Sequence, residues 1–284
     1  MSQIKKSNLN SITVPHIIAM KSVREKITML TAYDYPTAAL VDKAGVEMIL
    51  VGDSVGTVVY GYESTIPVTM DQMLMHVKAV TSGAKRSLVV ADMPFMSYQA
   101  SDEDALRNAG RFLKKSGAHA IKLEGGLEVK EKIRKLTQIG IPVMAHIGLM
   151  PQSIRAMGRY RTFGKTKDEA KYLLESARCL EDAGAFAIVL ECVEHGLAES
   201  ISKALSIPTI GIGSGAACDG QVLVFHDLVG MTPGHVPSFV RPEADAKSVL
   251  LNAVGRYIER TKNPNALTRP EPRIIIEGEN APSN

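Results

Sequence analysis

Short apolar runs recur along the chain, and most of them stop at an acid, a lysine or a histidine. They read Ile49-Leu50-Val51-Gly52-Asp53, Leu88-Val89-Val90-Ala91-Asp92, Ile121-Lys122-Leu123-Glu124, Val143-Met144-Ala145-His146 and Ile188-Val189-Leu190-Glu191. Runs this short and rich in Val, Ile and Leu suit strands buried on both faces. A carboxylate inside such a strand is costly to desolvate, whereas one at its mouth can meet a metal or a substrate. Parallel strands that end this way bring their polar tips together on one side of the sheet.

Between the strands the polar spacing turns helical. The pattern predicts strand one at Ile27–Thr31 with a helix from Tyr35 to Lys43, then strand two ending at Asp53. A long loop, Ser54 to Thr69, leads to a helix opening at Asp71, with Thr69 and Gln72 spaced as a capping box. Strand three ends at Asp92, and Ser101 N-caps a helix whose first turn holds Asp102, Glu103 and Asp104. That helix runs to Lys114 and Lys115 and stops at Gly117 before strand four, His119–Leu123. A helix Leu127–Gln138 stops at Gly140, and strand five is Pro142–His146. After a basic loop come a helix Lys167–Asp182 capped by Gly184, strand six at Phe186–Glu191, a helix Gly196–Leu205 and strand seven at Thr209–Ile212. Gln221–Phe225 is the eighth strand and Pro242–Arg260 the last helix.

Lys43-Ala44-Gly45-Val46, Ser116-Gly117-Ala118-His119 and Ala183-Gly184-Ala185-Phe186 sit at equivalent places, each a helix end followed at once by a strand. Eight such units favour a closed (β/α)₈ TIM barrel over an open doubly wound sheet, which stays as the alternative. The expectation is one barrel over residues 1–262, with a short N-terminal extension, and a flexible tail over 263–284 in which Ile274–Ile276 could dock.

The length of 284 residues fits one such barrel, and 45% hydrophobic residues supply its core. A formal charge of +3 is too weak to argue for nucleic acid, though it tolerates an anionic small substrate. Cys179, Cys192 and Cys218 form no C-x-x-C pair and suggest a reducing compartment. Neither a signal-like segment nor an apolar run near the roughly 20 residues of a membrane span occurs, so the chain reads as cytoplasmic, without a membrane partner.

Barrel active sites lie at the C-terminal ends of the strands, so the strand-tip residues are weighed together. Asp53, Asp92 and the acids ending strands four and six are hard oxygen ligands, and two or three of them suit Mg²⁺ with open positions for substrate. Any one acid alone is as well explained as a loop cap or the partner of a base. Lys122 and Glu124 are two residues apart and point into the barrel together. That lysine could pair with Glu124, bind an anionic substrate or form a Schiff base. Glu191 follows apolar residues, surroundings that suit a general base. His146 stays open between ligand, substrate donor and core histidine.

Gly211-Ile212-Gly213-Ser214-Gly215 follows strand seven, where many barrels cradle phosphate, although such a loop can simply make a tight turn. Arg155, Arg159, Arg161, Lys165 and Lys167 could attract an anionic tail, with a solvated loop as the default. Cys192 has no adjacent base and reads as a packing residue.

Several ordered phrases resemble the ketopantoate hydroxymethyltransferase family. They are Thr31-Ala32-Tyr33-Asp34-Tyr35, Val51-Gly52-Asp53-Ser54, Ser64-Thr65-Ile66-Pro67-Val68-Thr69 and Ala91-Asp92-Met93-Pro94-Phe95. The series continues with Lys122-Leu123-Glu124-Gly125-Gly126, His146-Ile147-Gly148-Leu149, Pro151-Gln152-Ser153, Leu190-Glu191-Cys192-Val193, Gly211-Ile212-Gly213-Ser214-Gly215 and His226-Asp227. In this order they cover Ile27 to Phe239, which makes the set far more specific than any one motif.

The resemblance implies a phosphoenolpyruvate/pyruvate-type barrel that uses Mg²⁺. Its reaction would move a one-carbon unit from 5,10-methylenetetrahydrofolate to 3-methyl-2-oxobutanoate through an enolate, giving 2-dehydropantoate and tetrahydrofolate for pantothenate biosynthesis. Carried over by motif, Asp53 and Asp92 hold the metal with Glu124 contributing directly or through water. Asp53, Ser54, Asp92 and Lys122 contact the keto acid, and Glu191 is the catalytic base. The resemblance also implies a homo-oligomer, commonly a decamer. Arg159 and Ser214 depart from the residues common in the family, glycine and alanine. The rival enzyme reading is another Mg²⁺-enolate barrel acting on phosphoenolpyruvate, pyruvate or isocitrate. A non-catalytic barrel would be expected to lack one of Asp53, Asp92, Glu124 and Glu191, and all are present.

Overall fold

A computed structural model describes residues 11–234 and 236–263. The expected tail, with Ile274–Ile276, lies outside them from residue 264 onward. Eight parallel strands close in sequence order: β1 (Ile27–Thr31), β2 (Met48–Val51), β3 (Leu88–Asp92), β4 (Ala120–Glu124), β5 (Val143–Gly148), β6 (Ala187–Glu191), β7 (Thr209–Ile212) and β8 (Gly220–Leu223). Strand β8 pairs with β1, with Ile27 opposite Gly220, so the described sheet has no open edge. The closed barrel thus replaces the open-sheet alternative.

Side chains alternate between two cores. Ile49, Val51, Val89, Ala91, Ile121, Leu123, Val143, Ala145, Ile188 and Leu190 face outward into the helix layer. Met48, Leu50, Leu88, Val90, Ala120, Met144, Ala187 and Val189 fill the interior. Successive strand residues point to opposite faces. Continuing the interior parity toward the C-terminal ends therefore reaches Asp92, Lys122, Glu124, His146 and Glu191 in turn.

Glycine stops end the helices as the pattern predicts, with Gly45, Gly117 and Gly184 all at positive φ. The capping box of Thr69 and Gln72 opens the helix Met70–Gly83, and the Ser101 hydroxyl accepts the Asp104 N–H at 3.0 Å. The helix Lys167–Asp182 matches the pattern at both ends. Other boundaries differ for local reasons. The helix Asp102–Arg111 finishes in a π-helical turn, Phe112–Ser116. Strand β8 stops short of Phe225, whose N–H turns to the Thr31 hydroxyl at 3.0 Å and starts the short helix Phe225–Leu228. The last helix begins at Ala246 rather than Pro242, because Asp245 accepts the Ser248 N–H and caps it there.

The N-terminal extension is more than a tail. Val14–Ser22 forms a helix whose buried Ile17 joins the inner core. Its Lys21 ammonium donates to the carbonyls of Ser202 and Ile207 and pairs with Asp219 at 2.8 Å. These bonds fix the helix at the end of the barrel opposite the polar tips.

Gly148 ends β5 at φ +100, and a Cβ there would collide with the Glu191 carbonyl oxygen. Gly148→Ala should destabilise the fold by at least about 1 kcal/mol, since alanine at positive φ adds strain to the clash. Gly110→Ala, on a helix with open space around its Cβ, should be neutral or stabilising. Urea midpoints of the two variants test the contrast.

Candidate active site

The inward-facing tips converge on one buried cluster. Register places Asp92 beside Lys122, Glu124 beside His146, and Gly148 beside Glu191. The Lys122 ammonium meets Asp92 Oδ1 at 2.7 Å, with only 5% and 2% of the two side chains exposed. Asp53 lies just past β2, and its N–H donates to Asp92 Oδ2 at 3.1 Å. Of the partners left open for Lys122, Glu124 is not the one that takes the ammonium: Asp92, one strand over, does.

Burial alone would depress the Lys122 ammonium, but Asp92, Glu124 and Asp53 outweigh it and hold the group above its ordinary value. Burial raises the Asp92 and Glu124 carboxyls, with Lys122 opposing and the neighbouring acids adding to the rise. Three buried carboxylates, Asp53, Asp92 and Glu124, thus surround a single ammonium. When ionised they leave two negative charges in excess, a field that favours a cation.

Gln152 and Tyr98 complete the cluster, and sequence reasoning gave neither a role. Gln152 occupies the short turn Pro151–Ser153 after β5, where its N–H donates to Glu124 Oε2 at 3.1 Å. Its side-chain amide donates to Asp53 Oδ2 at 3.0 Å. The Tyr98 hydroxyl accepts the Glu124 N–H at 3.1 Å and stands 3.0 Å from Gln152 Oε1. Pro151-Gln152-Ser153 was among the family-like phrases, but a lone glutamine in a loop carries no periodic signal. Ser54 is held from behind by the buried Tyr33, whose hydroxyl lies 2.8 Å away.

His146 stands between two acids. Its Nδ1 is 3.6 Å from Glu124 Oε1, and its Nε2 is 3.3 Å from Glu191 Oε2. Neither ring nitrogen completes a hydrogen bond, nor does Glu124 Oε1, although all three atoms are buried. Burial and then Lys122 lower the histidine's pKa, so it is neutral at neutral pH. Glu191 sits at the rim with 18% of its side chain exposed, a wetter place than its apolar run predicts.

Other motifs play supporting parts. The Ser214 hydroxyl donates to the Leu190 carbonyl at 2.7 Å and accepts the Val193 N–H at 2.9 Å, bracing the end of β6. Its loop is packed tightly, with Phe239 against Gly213 and His195 against Gly215. Burial and then Glu191 push the Cys192 thiol up to about 11, which leaves little thiolate and agrees with a packing role. Arg155, Arg159, Arg161, Lys165 and Lys167 are all exposed. Arg161 pairs with Glu169 at 2.8 Å and lies over the Phe163 ring.

Among the described residues, no three His, Cys, Asp or Glu side chains stand as a ready-made metal cluster. Mg²⁺ does not need one, since it takes one or two carboxylates, keeps waters and accepts substrate oxygens. The all-oxygen donors, the excess negative charge and the unpartnered Glu124 Oε1 fit such an ion.

Comparison with known proteins gives the family and the fold. The sequence model of the ketopantoate hydroxymethyltransferase family matches residues 11–265. The 3-methyl-2-oxobutanoate hydroxymethyltransferase of Carboxydothermus hydrogenoformans is 58% identical over 254 residues, 89% of this chain and 92% of that relative. The enzyme of the same name from Syntrophus aciditrophicus is 55% identical over 252 residues, 89% and 93% of the two chains. Among solved structures, phosphoenolpyruvate phosphomutase from Streptomyces platensis subsp. rosaceus superposes with a TM-score of 0.61 at 15% identity, over 92% of each chain. 2,3-Dimethylmalate lyase, a PEP mutase/isocitrate lyase superfamily member, gives 0.58 at 16% identity over 92% and 90%. At such identity these structures speak to the fold alone, a PEP mutase/isocitrate lyase-like barrel.

The raised Glu124 carboxyl links the site to stability. The folded metal-free protein keeps a proton that the unfolded chain gives up near pH 4.5, so this group's contribution falls as pH rises above that value. With chelator at pH 8, Glu124→Gln should raise the melting temperature by roughly 2–4 °C, a change of about 1 kcal/mol, and the gain should vanish toward pH 4. Scanning calorimetry checks it; an unchanged or lower midpoint at pH 8 contradicts the assignment.

Proposed function

The chain belongs to the ketopantoate hydroxymethyltransferase family, acting on 3-methyl-2-oxobutanoate to form ketopantoate in pantothenate biosynthesis, and we propose how its residues divide that work. The observation that carries the reading is the inward parity that gathers Asp92, Lys122, Glu124, His146 and Glu191 at one mouth of the barrel. Asp53, Asp92 and Glu124 would hold Mg²⁺. When bound, the ion supplies positive charge toward the keto acid's oxygens, where negative charge develops as the proton leaves.

The protein's own groups do the rest. Lys122, held charged by its acidic neighbours, attracts the substrate carboxylate, and Ser54, Asp53 and Asp92 line its seat. Glu191 takes the C3 proton at its carboxylate. C3 then bonds to the methylene carbon of 5,10-methylenetetrahydrofolate, both bonds from that carbon to folate nitrogens break, and water supplies the new hydroxyl. The proton held by Glu191 and the spare water proton go to the two nitrogens. Tetrahydrofolate leaves. A cavity of about 220 Å³ beside the strand ends, lined by Met150, Met157, Phe163 and Tyr172, offers apolar walls to the folate's ring. The acids around Lys122 hold its ammonium above the ordinary value, which disfavours the free amine that a Schiff base needs.

A homo-oligomer, with the decamer common in the family, completes the proposal. The helix Ala246–Lys262 buries none of its residues and exposes Val249, Leu250, Leu251, Val254, Tyr257 and Ile258. An apolar stripe of this kind supports self-association. No described helix is long and apolar enough to cross a membrane, and a cytoplasmic location is proposed with the function.

Glu191→Gln should bind the keto acid and Mg²⁺ like the wild type yet exchange the C3 proton into deuterated water at least about 100-fold more slowly. NMR of the substrate methine reads this directly, and wild-type exchange would assign the base elsewhere. Leu250→Glu combined with Val254→Glu should shift the assembly to smaller species in sedimentation velocity. An unchanged sedimentation profile would remove that helix from any interface.

A further inference from the structure

Gln152 stands out among the buried polar residues because its donors reach two different carboxylates. The backbone N–H bonds Glu124 Oε2, and Nε2 bonds Asp53 Oδ2, from a residue only 3% exposed. The second Nε2 hydrogen is taken by the Met93 carbonyl at 2.9 Å. Oε1 in turn faces the Tyr98 hydroxyl at 3.0 Å and Gln99 Nε2 at 3.1 Å. With two acceptors on one side, and on the other the Gln99 donor and a Tyr98 hydroxyl whose proton is shared with the Glu124 carbonyl at 3.0 Å, the amide has only one satisfactory orientation. A flip would set Nε2 against the Gln99 donor and Oε1 against the Asp53 carboxylate.

We propose that Gln152 is a positioning residue that selects which carboxylate oxygens face the bound cation. This rests on the reading of Asp53 and Glu124 as holders of Mg²⁺. Gln152 occupies one oxygen of each acid with a neutral donor and leaves the other to the site. On Glu124 the remaining oxygen, Oε1, is the buried one without a partner. Because neither the amide on Asp53 nor the backbone N–H on Glu124 carries a charge, both carboxylates are fixed without cancelling the negative field that draws the ion. A lysine or arginine there would fix them too, but would compete with the cation. Metal sites commonly depend on partners of this kind, whose loss weakens binding by about 10–100-fold.

Gln152→Met keeps the length of the side chain and removes both its amide donors and its acceptor. Calorimetric titration with Mg²⁺ should show a Kd about 10–100-fold above wild type, and the half-saturating Mg²⁺ for turnover should rise by the same factor. A strut with no bearing on the cation would lower the chelated protein's melting temperature without moving either constant. Gln99→Leu, a milder change that removes one of the two donors to Oε1, should weaken Mg²⁺ roughly 2–10-fold and keeps the test open if the first variant fails to fold. Wild-type Mg²⁺ affinity in Gln152→Met, or in Gln99→Leu if only that variant folds, overturns the role of Gln152. Wild-type protein that neither binds Mg²⁺ nor responds to it overturns the metal reading and this inference together.

Discussion

The buried pair of Lys122 and Asp92 is the contact around which the mouth of the barrel is arranged. Removing an ammonium and a carboxylate from water is expensive, and their attraction repays it only when other bonds satisfy what is left over. Here the leftovers are engaged in order. Asp92 uses its second oxygen on the Asp53 N–H, Asp53 accepts from Gln152, and Gln152 reaches Glu124. One lysine therefore anchors a chain of acids and opposes, without overcoming, the burial that raises the Asp92 and Glu124 carboxyls. The same shortage of positive charge makes the cluster receptive to a cation, and an anionic keto acid would join it only with that cation in place.

The alternation of a β-strand gives this cluster its address. Odd and even positions separate a helix-facing core from a barrel-facing one, and the barrel-facing series changes from methionine, valine and alanine to ionisable groups within one or two steps. A one-residue slip in any of these strands would send its polar tip into the helix layer. The apolar interior thus seats these ionisable groups at a fixed height, with a dry core beneath them.

Much of this was legible because periodicity reports what one strand or helix buries. The barrel, the glycine stops and the set Asp53, Asp92, Lys122, Glu124 and Glu191 all follow from local patterns. Partnership across strands did not. The Lys122 ammonium chose Asp92 over Glu124 because β3 lies beside β4 in register, a fact of closure rather than of spacing. His146 could not be placed because its neighbours, Glu124 and Glu191, come from different strands. Gln152 and Tyr98 were silent for the same reason, being loop residues whose partners lie far away along the chain. The helix Val14–Ser22 escaped notice because its worth lies in one buried isoleucine and one long-range lysine.

That lysine bears on how the molecule is made. Lys21 finds Asp219 across 198 positions of sequence, along with the carbonyls of Ser202 and Ile207. The helix is synthesised well before the partners of Lys21, so until they follow only Ile17 and its neighbours have something to pack against. Contacts of such separation form late, after loop closure has been met elsewhere. The foot of the barrel is sealed only when β7 and β8 have arrived, and a chain that stalls before them leaves the Lys21 ammonium without these partners.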